Sequence, residues 1–305
     1  MTTAALPSSA TRRQAWIAWG AVCFIWGTTY LGIKIALDTI PPFLMGGFRY
    51  TASGVIMGAW LIARGHALPA RADWGKLAIL GFFMLMIGNG GVVWGEQFVP
   101  SGLTAVLIGT SPFWMVTVDA LFPGGRRLHA RQWIGLAVGF AGIVLLVWPD
   151  ITRGGAIGRG FALGVISVQI ACAGWAVGSA YTRRHVMPSD LLGSAAVQMF
   201  FGGLIMTLAG TITGEWADLS FNLRTGLALA YLTVFGGAIA FSAFSYALGH
   251  LPIAIVSLYS YVNPVIAVIL GTLILGEPFE LRMLVAAAII VIGILTVGPA
   301  RATDH

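Results

Sequence analysis

Thr110 and Trp114 stand four residues apart, so on a helix they share one face. Tyr259 and Asn263 repeat the spacing, as do Trp175 and Ser179 and, with Thr29 alongside, Trp26 and Tyr30. Asn89 adds an amide within "IGNGG". Hydroxyls, amides and indoles grouped this way do binding chemistry: they exchange hydrogen bonds and stack on flat or apolar bodies. Bond-making chemistry lacks its equipment. The histidines (His66, His129, His185, His250, His305) fall in polar stretches, at the ends of apolar runs or in the tail. No zinc-protease motif, nucleophile elbow or phosphate loop occurs. Neither a metal nor a cofactor is expected, and an intramembrane enzyme is the weaker reading.

These groups flank two prolines, Pro112 and Pro264, 152 residues apart and each inside a long apolar run. Pro112 lies 11 residues past Ser101, or about 16 Å along a helix, near the middle of a roughly 30 Å hydrocarbon core. Each ring removes an N–H and displaces the carbonyl four residues back, those of Ile108 and Ser260. A water-lined cavity or a polar neighbour can satisfy a freed carbonyl, whereas lipid cannot. Two readings stay open: a cavity-lining break, or a helix-kink that serves packing. The polar groups likewise either line a cavity or bond helix to helix.

The elements that position these residues follow from composition. Apolar residues make up 58% of the 305 and charged residues 9%, against about 45–50% and 25% in soluble domains. Lipid is therefore the expected solvent. Ten spans are expected, at 14–37, 42–63, 74–96, 101–122, 132–148, 160–181, 191–214, 225–248, 253–275 and 282–297. The start reads as an uncleaved first span with Arg12 and Arg13 as a cytoplasmic anchor rather than a cleaved or twin-arginine signal. The net charge of +6 reads as topology information, not as a nucleic-acid footprint. With the N-terminus inside, eleven Lys and Arg fall in cytoplasmic stretches and four (Arg153, Arg159, Arg224, Arg282) outside, which favours cytoplasmic N- and C-termini. Cys23 and Cys172 lie inside apolar runs, so no disulfide framework is expected.

Few charges enter the spans. Lys34 reads as a snorkelling lysine paired with Asp38 one turn on. Arg49 lies seven residues into the second span and is a candidate for a substrate carboxylate, for pairing with Glu96 or for the outer headgroups. Arg49, Glu96 and Asp119 are the candidate coupling or structural charges. The spacings Gly91–Gly95 and Gly135–Gly139 permit close helix approach and hint at a weak homodimer.

The halves 1–150 and 151–305 resemble each other. Cys23 and Trp26 match Cys172 and Trp175 at an offset of 149, and "VPSGLTAVLIGTSP" matches "LPIAIVSLYSYVNP" at 152. Five spans per half is odd, so the second half must enter the membrane inverted. "WGTTYLGIK", "PPFLMGGFRY", "VPSG" and "YVNPVIAVILGTLILGE", taken in order, resemble the EamA family of the drug/metabolite transporter superfamily. The resemblance implies an all-α integral membrane protein: ten transmembrane helices in two inverted five-helix repeats around a central cavity. It implies an inner-membrane carrier that exports small metabolites, amino acids or related compounds, with foreign compounds in some members. The expected partners are a small-molecule substrate and the bilayer. A passive facilitator, a channel and a non-transporting sensor or scaffold are the alternatives.

Overall fold

The computed structural model describes residues 9–121, 129–152, 155–185, 191–251, 256 and 259–297. Among them the chain is all-helical and falls into ten rods. These are α1 (Ser9–Ala36), α2 (Pro42–Ala63), α3 (Arg71–Gly95), α4 (Ser101–Leu121), α5 (Ala130–Ile151), α6 (Gly155–His185), α7 (Leu191–Ile212), α8 (223–250), α9 (Tyr259–Leu275) and α10 (Leu281–Val297). Each expected span has its rod. Ile253, the expected start of the ninth, lies outside the described residues, as do Arg126, Arg127, Arg153 and Arg301.

All rods but α2, α9 and α10 are long and apolar enough to cross a membrane by length and composition. The α2 rod has 22 residues but carries Arg49, while α9 and α10 have 17 described residues each, the short end of what spans a bilayer core. Leu121, Ile212 and Leu273 are 79%, 77% and 77% exposed. Water would make such a surface untenable; lipid makes it ordinary.

Packing repeats across the halves. The α2 rod lies along α7 and α5 along α10; α1 lies against α8 and α9, and α6 against α3 and α4. Exchanging each rod for the one five places away leaves these pairings unchanged. Two π-helical stretches, Gly81–Asn89 in α3 and Leu232–Ile239 in α8, begin 151 residues apart. Glycines set the closest approaches. A Cβ on Gly54 would stand 2.7 Å from the Ala196 carbonyl oxygen, and one on Gly293 would stand 2.7 Å from that of Gly135. Gly91 abuts Ala171, and Gly95 the Gly164 carbonyl. Gly139 meets Phe113 and Gly293. These spacings, expected as a dimer face, are thus occupied within the chain.

Two Gly-Glu pairs tie helix starts. Gly214 and Gly276 take φ of +79° and +66°, which ends α7 and α9 in the left-handed conformation that favours glycine. Each turn presents the next residue to another helix. Glu215 accepts from the N–H groups of Phe43 (3.2 Å) and Leu44 (2.8 Å) at the start of α2. Glu277 accepts from Ser101 N–H (2.8 Å), Ser101 Oγ–H (3.0 Å) and Gly102 N–H (3.1 Å) at the start of α4. A carboxylate there satisfies orphan donors and faces the positive end of the helix dipole.

Candidate functional site

The α4 rod is broken rather than kinked. Its first half ends at Ile108 and its second begins at Ser111. Pro112 therefore sits in the first turn of a new helix, where its missing N–H leaves nothing unpaired. Ser111 Oγ donates to the displaced Ile108 carbonyl at 2.7 Å, so a neighbouring hydroxyl satisfies it. Pro264 does lie inside its helix. Beside it the Asn263 amide, oriented with its nitrogen toward them, donates to the carbonyls of Tyr259 and Cys23, each at 3.0 Å. Asn263 thereby ties α9 to α1.

A cavity of about 210 Å³ opens among α1, α2, α3, α4, α6, α8 and α9. Of the residues expected at a site, Trp26, Thr29, Tyr30, Asn89, Pro112, Trp175, Tyr259 and Asn263 line it, and so does Arg49. Trp26 forms an aromatic wall, its ring centroid 4.9 Å from Tyr259, 5.1 Å from Phe244 and 5.5 Å from Phe241. Its indole N–H donates to the Gly236 carbonyl at 3.2 Å. Thr29 turns its hydroxyl to the Trp26 carbonyl, 2.7 Å away. Asn89 Nδ2 donates to the Met84 carbonyl, five residues back, at 3.2 Å; the wide π-turn supplies that acceptor.

Other expected residues lie off the lining. Thr110 and Trp114 do share a face, but it meets α6: both donate to Gln169 Oε1, at 3.1 and 3.0 Å. Ser179, Pro264, Glu96 and Asp119 are also absent from the lining. Lys34 does not pair with Asp38. Its ammonium bonds the main-chain carbonyl of Glu96, and Asp38 instead faces Arg224 at 3.6 Å across the exposed edge. Glu96 is fully buried, and neither carboxylate oxygen has a hydrogen-bond partner. Arg49 forms no ion pair with it, since no bridge joins them among the described residues.

Sequence reasoning did not single out Tyr50, Ser111, Met115, Cys172 or Phe241 for the lining. It also passed over Gln169, an amide alone in an apolar run, the same signal that marked Asn89. Among the described residues no group of His, Cys, Asp or Glu could hold a metal ion.

The model of the EamA-like transporter family matches residues 14–148 and 162–298. The chain belongs to that family. It is accordingly a multi-pass membrane transporter, and no catalytic activity is indicated. Among relatives of this EamA-like chain is the "Uncharacterized inner membrane transporter YedA" of Escherichia coli (strain K12), 36% identical over 91% of this chain and 88% of that protein. Another is the "WAT1-related protein At3g02690, chloroplastic" of Arabidopsis thaliana, 28% identical over 92% and 68%. A crystal structure with 20% sequence identity has the same fold, with a TM-score of 0.63 over 94% of this chain and 96% of that one.

Proposed function

We propose that the cavity is the substrate site of a secondary carrier that exports small metabolites across the inner membrane by alternating access. One observation carries this reading: both halves of the chain build the cavity. Trp26, Asn89 and Pro112 come from the first, Trp175, Tyr259 and Asn263 from the second. A rocking of one half against the other would then open the same residues to either side. The pairwise packing and the two family-model matches support two related halves, 1–150 and 151–305. Their inversion and cytoplasmic termini follow from five spans per half and the distribution of Lys and Arg. The relative named as an inner membrane transporter supports that location.

The cavity falls below the roughly 300–1,000 Å³ of drug-sized pockets, which favours amino acids and comparably small metabolites over bulky foreign compounds. The lining contains no carboxylate among the described residues, and this favours a second reading, a passive facilitator without proton coupling. Purified protein in proteoliposomes, loaded with a panel of labelled amino acids and small organic acids, tests both. Efflux above empty vesicles is expected for at least one solute. Accumulation driven by an imposed pH gradient supports the coupled carrier; flux that stops at equilibrium supports the facilitator. No flux of any solute contradicts both.

A further inference from the structure

One ionised side chain faces the cavity among its described lining residues, and it is a cation. Arg49 is 3% exposed. Its Nε and Nη1 have no hydrogen-bond partner, and together they carry three of the five guanidinium N–H donors. The group is held firmly. It lies 4.7 Å from the Tyr50 ring centroid, and Gly236 passes so close that a Cβ there would stand 3.1 Å from Nη2. Glu96 lies within electrostatic range of both Arg49 and Lys34 but makes no bridge to Arg49 among the described residues, and the Lys34 ammonium is turned to the Glu96 main chain. A buried guanidinium whose N–H donors find no hydrogen-bonded anion is costly, and an ionisable side chain inside the membrane marks a functional site by default.

The rest of the lining says what that partner looks like. Trp26, Phe241, Tyr259 and Ile33 present rings and an aliphatic chain. Among the described lining residues there is no carboxylate to receive an ammonium. We propose that Arg49 is an anion subsite, and that the carried solutes are small organic monoanions: a carboxylate on Arg49 and an apolar or aromatic body against the Trp26 wall. Zwitterions rank below them and cations last. The inference rests on the cavity being the substrate site.

Thermal stabilisation of the purified full-length protein in detergent reads the ranking, because binding to the folded state raises the melting temperature. The probes are 3-phenylpropionate, L-phenylalanine and 2-phenylethylamine, which share a ring and differ in charge, with benzoate and hexanoate as further anions. The wild type is expected to be stabilised most by 3-phenylpropionate and least by the amine. Arg49→Gln should weaken 3-phenylpropionate on the order of tenfold or more, the loss of a charge-assisted partner. Arg49→Lys keeps charge without the planar fork and should fall between. If Arg49→Gln does not fold, the wild-type ranking and Arg49→Lys decide. Equal binding of amine and acid, unchanged binding by Arg49→Gln, or no stabilisation by any of the three anions overturns the proposal. Flux separates this from the reading beneath it. Anion binding without transport in proteoliposomes sinks the carrier alone. Transport of amines or zwitterions that Arg49→Gln leaves intact sinks the anion subsite alone.

Discussion

Trp26 contacts three aromatic side chains on two other helices and donates its N–H to the Gly236 carbonyl on one of them. Its outer face remains open to the cavity. Trp26→Ala and Tyr259→Ala should therefore weaken solute binding roughly tenfold, from the loss of stacking surface, while membrane-inserted protein persists. Binding titrations beside size-exclusion profiles check this; full affinity in both variants would remove the aromatic wall from the site. Outside the membrane, Glu215 offers a test in pH. Burial pushes its carboxyl above the ordinary range, against the N–H groups of Leu44 and Phe43 that lower it. A raised folded-state pKa means that its contribution to stability is full below about pH 4, the ordinary value, and is lost as pH rises through the folded value. Glu215→Gln cannot ionise; it offers one acceptor oxygen where Phe43 and Leu44 use two, so the bond it loses is an offset that does not vary with pH. Its melting temperature relative to wild type should rise between pH 4 and 7. A flat or falling difference would contradict this account of the turn.

Helices were legible from the sequence in their existence and approximate ends, because lipid demands long uninterrupted apolar runs. Their rotation was less so. A span apolar on every side has no moment to tell cavity from neighbour, and Thr110 and Trp114 show the result: the shared face was right, its direction toward Gln169 was not. Trp26, Trp175 and Tyr259 proved easier, since an aromatic far from the headgroups beside a repeat match has few other uses. Arg49, open in the sequence to a substrate carboxylate, to Glu96 or to the headgroups, lines the cavity together with Tyr50. What brings α2 in is its seam with α7, where Gly54 lets backbones touch, a contact invisible in either helix alone. Gly54→Val would force its side chain against the Phe200 N–H and Ala196 carbonyl, 2.5 and 2.7 Å from an added Cβ. It should cost about 1–3 kcal/mol or more. Gly226→Ala meets nothing within 4 Å and should gain a few tenths to about 1 kcal/mol. Melting temperatures in one detergent compare them; equal effects would mean that the seam is not close-packed.

For the whole molecule, the decisive feature is a small cavity built from both halves and flanked by lipid-facing rods. A carrier that alternates must expose the same residue to each side in turn. Met115 lines the cavity on the second half of α4, so Met115→Cys with Cys23 and Cys172 replaced by serine gives a single reporter. A membrane-impermeant thiol reagent is applied to sealed vesicles of each orientation. The account predicts labelling from both sides, slowed on both by a transported solute. Labelling from one side only, under every condition, would contradict alternating access through this cavity.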